Sequence, residues 1–467
     1  MNFQDQTPYD ILTEKWNPVL NHDALPSIKD EYRRKVTAVL LENEEQAIRS
    51  QHLSEDMTSN NLGMPSSFTN TGAVSGYDPV LISLVRRAMP NLMAYDICGV
   101  QPMTAPTGLI FAMRAQYGGG STYGIAGSTN YVEAMFQEPN PAWGGSGWTM
   151  SASDRLLRGL CGTSGGSDPS VIRAGIPTLA SYRGILTNYG EGLGGAASID
   201  PYKTFNQMAF SIDRVAVQAK TRALSSNYTI ELAQDLKAVH GLDAEAELAN
   251  LLSTEILAEI NREIVRSIYY VARAGSQQND LNGKGFYDLD NDSDGRWSAE
   301  RFRGLSFQIE RECNAIAKET RRGRGNFIIT DSDTAAALAM SGFMSLSPAI
   351  APQLTVDDTQ STFAGVLSGK IKVYIDPYSP AGVNFFVCGY KGESPYDAGL
   401  FYCPYVPLQM VRAVDPNTFQ PRIAFKTRYG VVANPYVLNG ATPDGDNLTA
   451  GLNQYYRFTA VTNLHGN

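Results

Sequence analysis

The run "DLDNDSDGRWSAE", from Asp288 to Glu300, places four aspartates at alternate positions, and such spacing serves coordination of a hard cation by carboxylate oxygens. With Asp290 as position 1 of an EF-hand loop, Asp292 falls at 3, Asp294 at 5 and Gly295 at 6. Position 12 must supply a bidentate glutamate, but it is Arg301, and Glu300 sits one residue early. The preceding "QQNDLNGKGFYDL" is too rich in glycine for an entering helix. The expected state is a solvated acidic turn between two elements, with Asp290, Asp292 and Asp294 as the residues that would hold a weak, partly hydrated cation. No cofactor site is expected.

Other reactive types are sparse. His22, His52, His240 and His465 are scattered, with no second ligand or base nearby in sequence, so they read as surface or cap residues. The five cysteines, Cys98, Cys161, Cys313, Cys388 and Cys403, are odd in number and form no CxxC pair, which reads as reduced thiols. "GVLSGK" (Gly365 to Lys370) is one residue short of a phosphate-cradling loop and runs into Ile371, so the hydroxyl for Mg²⁺ is missing. "GGGSTYG" follows no clear strand and opens no helix. Both read as turns. "RRGRG" (Arg321 to Gly325) could contact phosphates, but more simply sets cations at the negative end of a helix, with Gly323 as its left-handed cap. No motif supports an enzyme.

The elements that would position these residues follow from pattern. The 467 residues, 43% of them apolar, allow about three domains and a sizeable core. A net charge of −9 argues against a surface that condenses on nucleic acid or anionic lipid. No run approaches the length of a membrane span, and the first residues lack the basic and apolar regions of a secretory signal, so folding in a cytoplasm is expected. Residues 1–55 are acidic, with ten Asp/Glu against six Lys/Arg, and put Ile28, Tyr32, Val36, Val39, Leu40 and Ala47 on one helical stripe that needs a partner. A polar Gly/Ser/Asn-rich arm follows.

Farther on, Leu248, Leu252, Ile256, Ile260, Ile264 and Ile268 recur every four residues in a helix expected over 243–274, with Asp243 as its cap and Gly275 as its end. At about 1.5 Å per residue it spans roughly 46 Å, which suits a strut. "SAERFRGLSFQIERECNAIAKET" reads as a second helix. "GNFIIT", "KIKVYI", "NFFVCGY", "GLFYCPYVPLQMV" and "RIAFKTRYGVV" read as strands.

Five blocks then carry a resemblance: "RRAMPNLMAYDICGVQPMTAPTGLIFAMR" (86–114), "IELAQDLKAVHGLDAEAEL" (230–248), "EINREIV" (259–265), "FAGVLSGKIKVYID" (363–376) and "FQPRIAFKTRYGVVANP" (419–435). In this order they resemble the major capsid proteins of T-even-type tailed phages. The resemblance implies an α+β chain with the HK-97-like capsid fold. Its parts would be an N-terminal pro-region over 1–55, an arm over 56–76, a first P-domain segment over 77–100 and an E-loop over 101–234. The P-domain would follow over 235–325 with its spine at 243–274, then an A-domain over 326–407, a return to the P-domain over 408–435 and a tail over 436–467. Within the E-loop, the stretch around 118–200 is short for the folded extra domain of T-even-type subunits and shares little of its pattern.

The same resemblance implies that a prohead protease removes the pro-region after a Glu preceded two residues earlier by Leu or Ile. Leu53-Ser54-Glu55 fits at the composition break, so the cut would leave Asp56 as the new first residue. The implied function is a structural subunit of an icosahedral or prolate phage head, assembled in the bacterial host cytoplasm and resident in the virion. Its partners would be further copies of itself in hexameric capsomers, a five-fold vertex protein and the portal. An internal scaffold and the prohead protease would join during assembly, and decoration proteins are a further class. The shell would enclose double-stranded DNA without sequence-specific binding and without a membrane. The alternative suggested by the aspartate loop is a calcium-dependent surface or adhesion protein.

Overall fold

A computed structural model describes residues 8–21, 28, 30–59, 92–117, 132–133, 208–276, 285–293, 295, 297–346, 363–380, 382–415, 420–434 and 448–464, with only the backbone described over 48–59. The mixed α+β content is that expected. In chain order come helices α1 (Pro8–Lys15), α2 (Asn17–Leu20), α3 (Glu31–Ser59) and α4 (Ala94–Ile97), then strands β1 (Gly99–Val100), β2 (Thr107–Tyr117), β3 (Val132–Glu133), β4 (Met208–Gln218) and β5 (Lys220–Asn227). Next are α5 (Ile230–Val239), α6 (Ala244–Val271), β6 (Ala272–Ala274), β7 (Phe286–Asp288), α7 (Ser298–Thr320), β8 (Phe327–Thr330), α8 (Ser332–Met340) and β9 (Met344–Leu346). The chain closes with β10 (Phe363–Leu367), β11 (Ile371–Ile375), β12 (Asn384–Gly389), β13 (Leu400–Val414), β14 (Pro421–Ala433) and β15 (Asn453–Thr462).

Two compact units result. The larger comprises Met1–Ile110, Val215–Leu438 and Thr442–Asn467, and the smaller comprises Phe111–Arg214 with Asn439–Ala441. The larger unit holds a sheet ordered β1-β13-β14-β5 and an eight-stranded sheet ordered β6-β15-β12-β8-β11-β10-β9, with β7 also paired to β15. Strands β3, β2 and β4 make a third sheet.

The eight-stranded sheet is covered on both faces, and its sequence shows how. Successive strand residues point to opposite faces. Phe327, Ile329, Phe385 and Val387 therefore enter one core with the isoleucines of α6. Ile328, Phe386 and Cys388 enter a second core with Leu305, Ile309 and Ile316 of α7 and Leu338 of α8. Strands buried on both sides read as continuous apolar runs, as "FIIT" and "FFVC" do.

Helix α6 begins as expected, with Asp243 accepting a hydrogen bond from Glu245 N at 3.2 Å. It buries Leu252, Ile256, Ile260, Ile264 and Ile268, and its 28 residues span about 42 Å. Its end differs from the expected 274. Ala272–Ala274 leave the helix to pair with β15, where the sheet edge supplies their backbone with partners in place of helical ones. Gly275 is no left-handed cap. A Cβ there would sit 2.2 Å from Thr459 Oγ1, so glycine is required by close approach to β15.

Similar corrections apply nearby. Arg321, not Gly323, takes the left-handed conformation that ends α7 (φ 55°), and Gly323 is small because a Cβ would meet the Tyr390 ring at 2.3 Å. "GVLSGK" is the hairpin turn between β10 and β11, with Ser368 and Gly369 both at positive φ. "GGGSTYG" lies outside the described residues. Within the stretch expected as a C-terminal tail, Asn453–Thr462 forms β15, whose residues 456–461 pair with β12.

Candidate functional site

The acidic loop is closed by its own side chains. Arg301 Nη1 donates to Asp290 Oδ1, so a guanidinium meets the first loop aspartate from the position where calcium would need a carboxylate. Asp292 Oδ2 accepts from Asp288 N at 3.0 Å. Asp288 accepts from Asp290 N at 3.0 Å, Asn291 Nδ2 at 2.7 Å and Asn463 Nδ2 at 2.8 Å. These carboxylates cap a turn and tie it to the end of β15. Asp294 lies outside the described residues. Among the described residues no group of three or more His, Cys, Asp or Glu stands in metal-binding geometry.

Nor do the buried thiols of Cys98, Cys388 and Cys403 offer an activated nucleophile. Burial pushes the Cys98 and Cys403 thiols up to about 12 and raises Cys388 as well, so these thiols stay protonated near neutral pH. His240 stands exposed at the end of α5. Cys161, His22 and His465 lie outside the described residues, and of His52 only the backbone in α3 is described.

The N-terminal segment is a different matter. Its apolar stripe does find a partner, in the rest of the larger unit to which it belongs. Val36, Val39 and Leu40 are buried, and Ile28 and Tyr32 pack against the core that holds Val36 and Leu40. Tyr32 OH donates to Val100 O. Arg33 Nη2 lies 2.6 Å from Asp96 Oδ1, and its guanidinium stacks over the Tyr95 ring at 5.4 Å. Asn43 Nδ2 donates to Met103 O and to Tyr405 O, both at 2.8 Å. Beside it, Glu44 is 2% exposed, and neither of its carboxylate oxygens has a hydrogen-bond partner among the described residues. Burial alone pushes its carboxyl up to about 8.

Leu53, Glu55 and Asp56 fall in the last turns of α3, whose backbone is helical through Ser59. The helix thus runs past the composition break, and any protease acting at Glu55 must unwind helical backbone.

Helix α6 is held at two further places that sequence reading missed. Arg222 of β5 reaches Glu259 at 3.0 Å and Glu263 at 2.7 Å. Arg262 Nη1 contacts both oxygens of the buried Asp376, at 2.8 and 2.7 Å, and Tyr269 OH donates to Asp376 Oδ2 at 2.9 Å. Helix α7 is held likewise: the buried Arg457 of β15 contacts Glu312 at 3.2 Å and Glu319 at 2.6 Å. The only sequence signal for these is a charge set within an apolar run, as in "YIDPY" and "YYRFTAV".

Each unit also presents apolar surface. In the smaller, Phe111, Met113, Met208, Phe210 and Ile212 are all more than half exposed. In the larger, a groove of about 540 Å³ between α5 and α6 is lined by Leu232, Leu236, Leu248 and Leu251, among others. Apolar side chains exposed in this number mark association surfaces rather than a reaction centre.

Comparison with known proteins agrees with that character. The family model described as "Major capsid protein Gp23" matches residues 74–461. The major capsid protein of Enterobacteria phage T4 is 36% identical over 501 residues, with 94% of each chain covered. The capsid vertex protein of the same phage is 31% identical over 242 residues, covering 49% of this chain and 53% of that protein. A structure of the capsid of Myoviridae Phage XM1 matches at a TM-score of 0.33 and 9% identity, covering 57% of this chain and 81% of that one.

Proposed function

The chain belongs to the Gp23 major capsid protein family, and from that premise we propose that its subunits close into hexameric capsomers after losing the first 55 residues. Membership makes the protein a structural component of a phage head rather than an enzyme, resident in the virion and assembling with other shell subunits. Among the described residues no helix is long and apolar enough to cross a membrane.

The observation that carries the finer reading is the exposed apolar surface on both units. Rings built by repeated contacts between unlike faces of one subunit require large complementary edges, and such edges are apolar before they are covered. In the HK-97-like scheme α6 is the spine, β2 and β4 are the stem of the E-loop, and the sheet around β8, β11 and β12 lies in the A-domain. The likeness to a capsid vertex protein over half the chain supports a related partner at the five-fold positions. Portal, internal scaffold, prohead protease and decoration proteins complete the proposed set. The enclosed DNA is held without sequence-specific contacts, in keeping with the net charge of −9.

Native mass spectrometry of assembly intermediates tests the ring. Species at six subunit masses are expected, and a ladder of arbitrary oligomers with no preference for six would contradict it.

A further inference from the structure

Helix α3 is buried on more than one side. All six residues from Val36 to Leu41 are at most 1% exposed. A helix hidden all round has partners on opposite faces, and both are present. On one side α1 and α2 bring Trp16 and Leu20 into the same core. Trp16 Nε1 donates to Glu42 at 3.1 Å, while Lys15 Nζ binds Glu42 at 2.6 Å and Glu45 at 2.7 Å. On the other side Asn43 spans two carbonyls from distant parts of the larger unit, Met103 after β1 and Tyr405 in β13. The segment is thus a small helical module with its own internal contacts, closed against the body of the subunit.

We propose that Pro8–Ala47 is a cover that remains on the body after the chain is cut behind it, so that departure of the segment, rather than cleavage, uncovers the surface around Tyr95, Val100, Met103 and Tyr405. The proposal rests on the reading of a cut at Glu55 only for where the chain is severed. The segment makes every contact named above through residues before 55, and none depends on the peptide bond after Glu55, so cleavage leaves all of them intact. Asn43 adds a further hold, because its amide satisfies the Met103 and Tyr405 carbonyls that the docked segment shuts off from water, and truncating it leaves both buried without that donor. Until the segment leaves, this face is closed to any other partner.

The test uses the full chain with a site-specific protease sequence inserted between Glu55 and Asp56, so it does not depend on the natural protease. After cutting, residues 1–55 are expected to co-elute with the body on gel filtration, and Asn43→Ala is expected to speed their dissociation at least tenfold. Circular dichroism of the uncut variant controls for its fold. An Arg33→Glu variant is also expected to lose the fragment faster, with retention regained on adding Asp96→Arg. Elution of the fragment apart from the parent body immediately after cutting would overturn the proposal. Failure of natural cleavage at Glu55 would leave this result unaffected and would count only against the maturation reading.

Discussion

Arg301 donates to Asp290 across the loop that opens α7, from the position where an EF-hand spacing would need a carboxylate. Asp290→Asn together with Asp292→Asn is therefore expected to leave shell assembly intact, and millimolar calcium is expected to leave the melting temperature of the parent unchanged. A melting temperature that rises with calcium in the parent, and no longer in the variant, would reverse this.

Helix α6 depends on a buried charge pair. Asp376 is 5% exposed and meets Arg262 through both oxygens, with Tyr269 and the Tyr378 backbone N–H as further donors. Removing one partner strands the other in the interior, which costs about 3–5 kcal/mol. Arg262→Ala is expected to destabilise by that amount in chemical denaturation, whereas Arg222→Ala, at a half-exposed pair, is expected to cost about 1 kcal/mol or less.

Docking of α3 should depend on pH through Glu44. Its carboxyl is pushed up to about 8 where it packs, against an ordinary value of 4.5. Below pH 4.5 the group is protonated whether the helix is docked or free, so docking carries no penalty. Between 4.5 and 8 the free segment ionises while the docked one stays neutral, so docking weakens about tenfold per pH unit, toward a ceiling of about 5 kcal/mol above pH 8. Glu44→Gln is expected to match the parent in thermal stability near pH 4 and to exceed it increasingly toward pH 8. Equal stability of the two proteins at pH 8 would contradict the burial argument.

Maturation at Glu55 predicts that subunits from infectious particles begin at Asp56 and that Glu55→Ala stalls particles as unexpanded precursors. Sequencing of the mature N-terminus checks the first expectation and electron microscopy of the variant the second. Because α3 is helical through Ser59, a helix-breaking Ser54→Pro is expected to speed cleavage, provided the protease accepts proline at that position.

Periodicity made the long elements legible. The four-residue recurrence of Ile256, Ile260, Ile264 and Ile268 marks α6, and "FIIT" and "FFVC" mark strands buried on both faces, because burial leaves its imprint in residue order. What periodicity hides is partnership at a distance. The stripe of α3 announces that it needs a cover without saying that the cover is the chain's own β13 and α4. Gly275 and Gly323 look like helix caps, yet they are small because Thr459 and Tyr390 come from far along the chain to lie against them. Asp376, Glu312 and Arg457 owe their importance to neighbours more than a hundred residues away. In the acidic loop, Arg301 at position 12 showed that a carboxylate is missing, but nothing in the spacing said that its guanidinium reaches Asp290.

The central claim is that this chain builds a shell. Electron microscopy of the protein produced together with its scaffold and protease tests it most directly. Hexameric rings, sheets, tubes or closed shells are expected; a protein that stays monomeric and monodisperse under all such conditions would contradict the account.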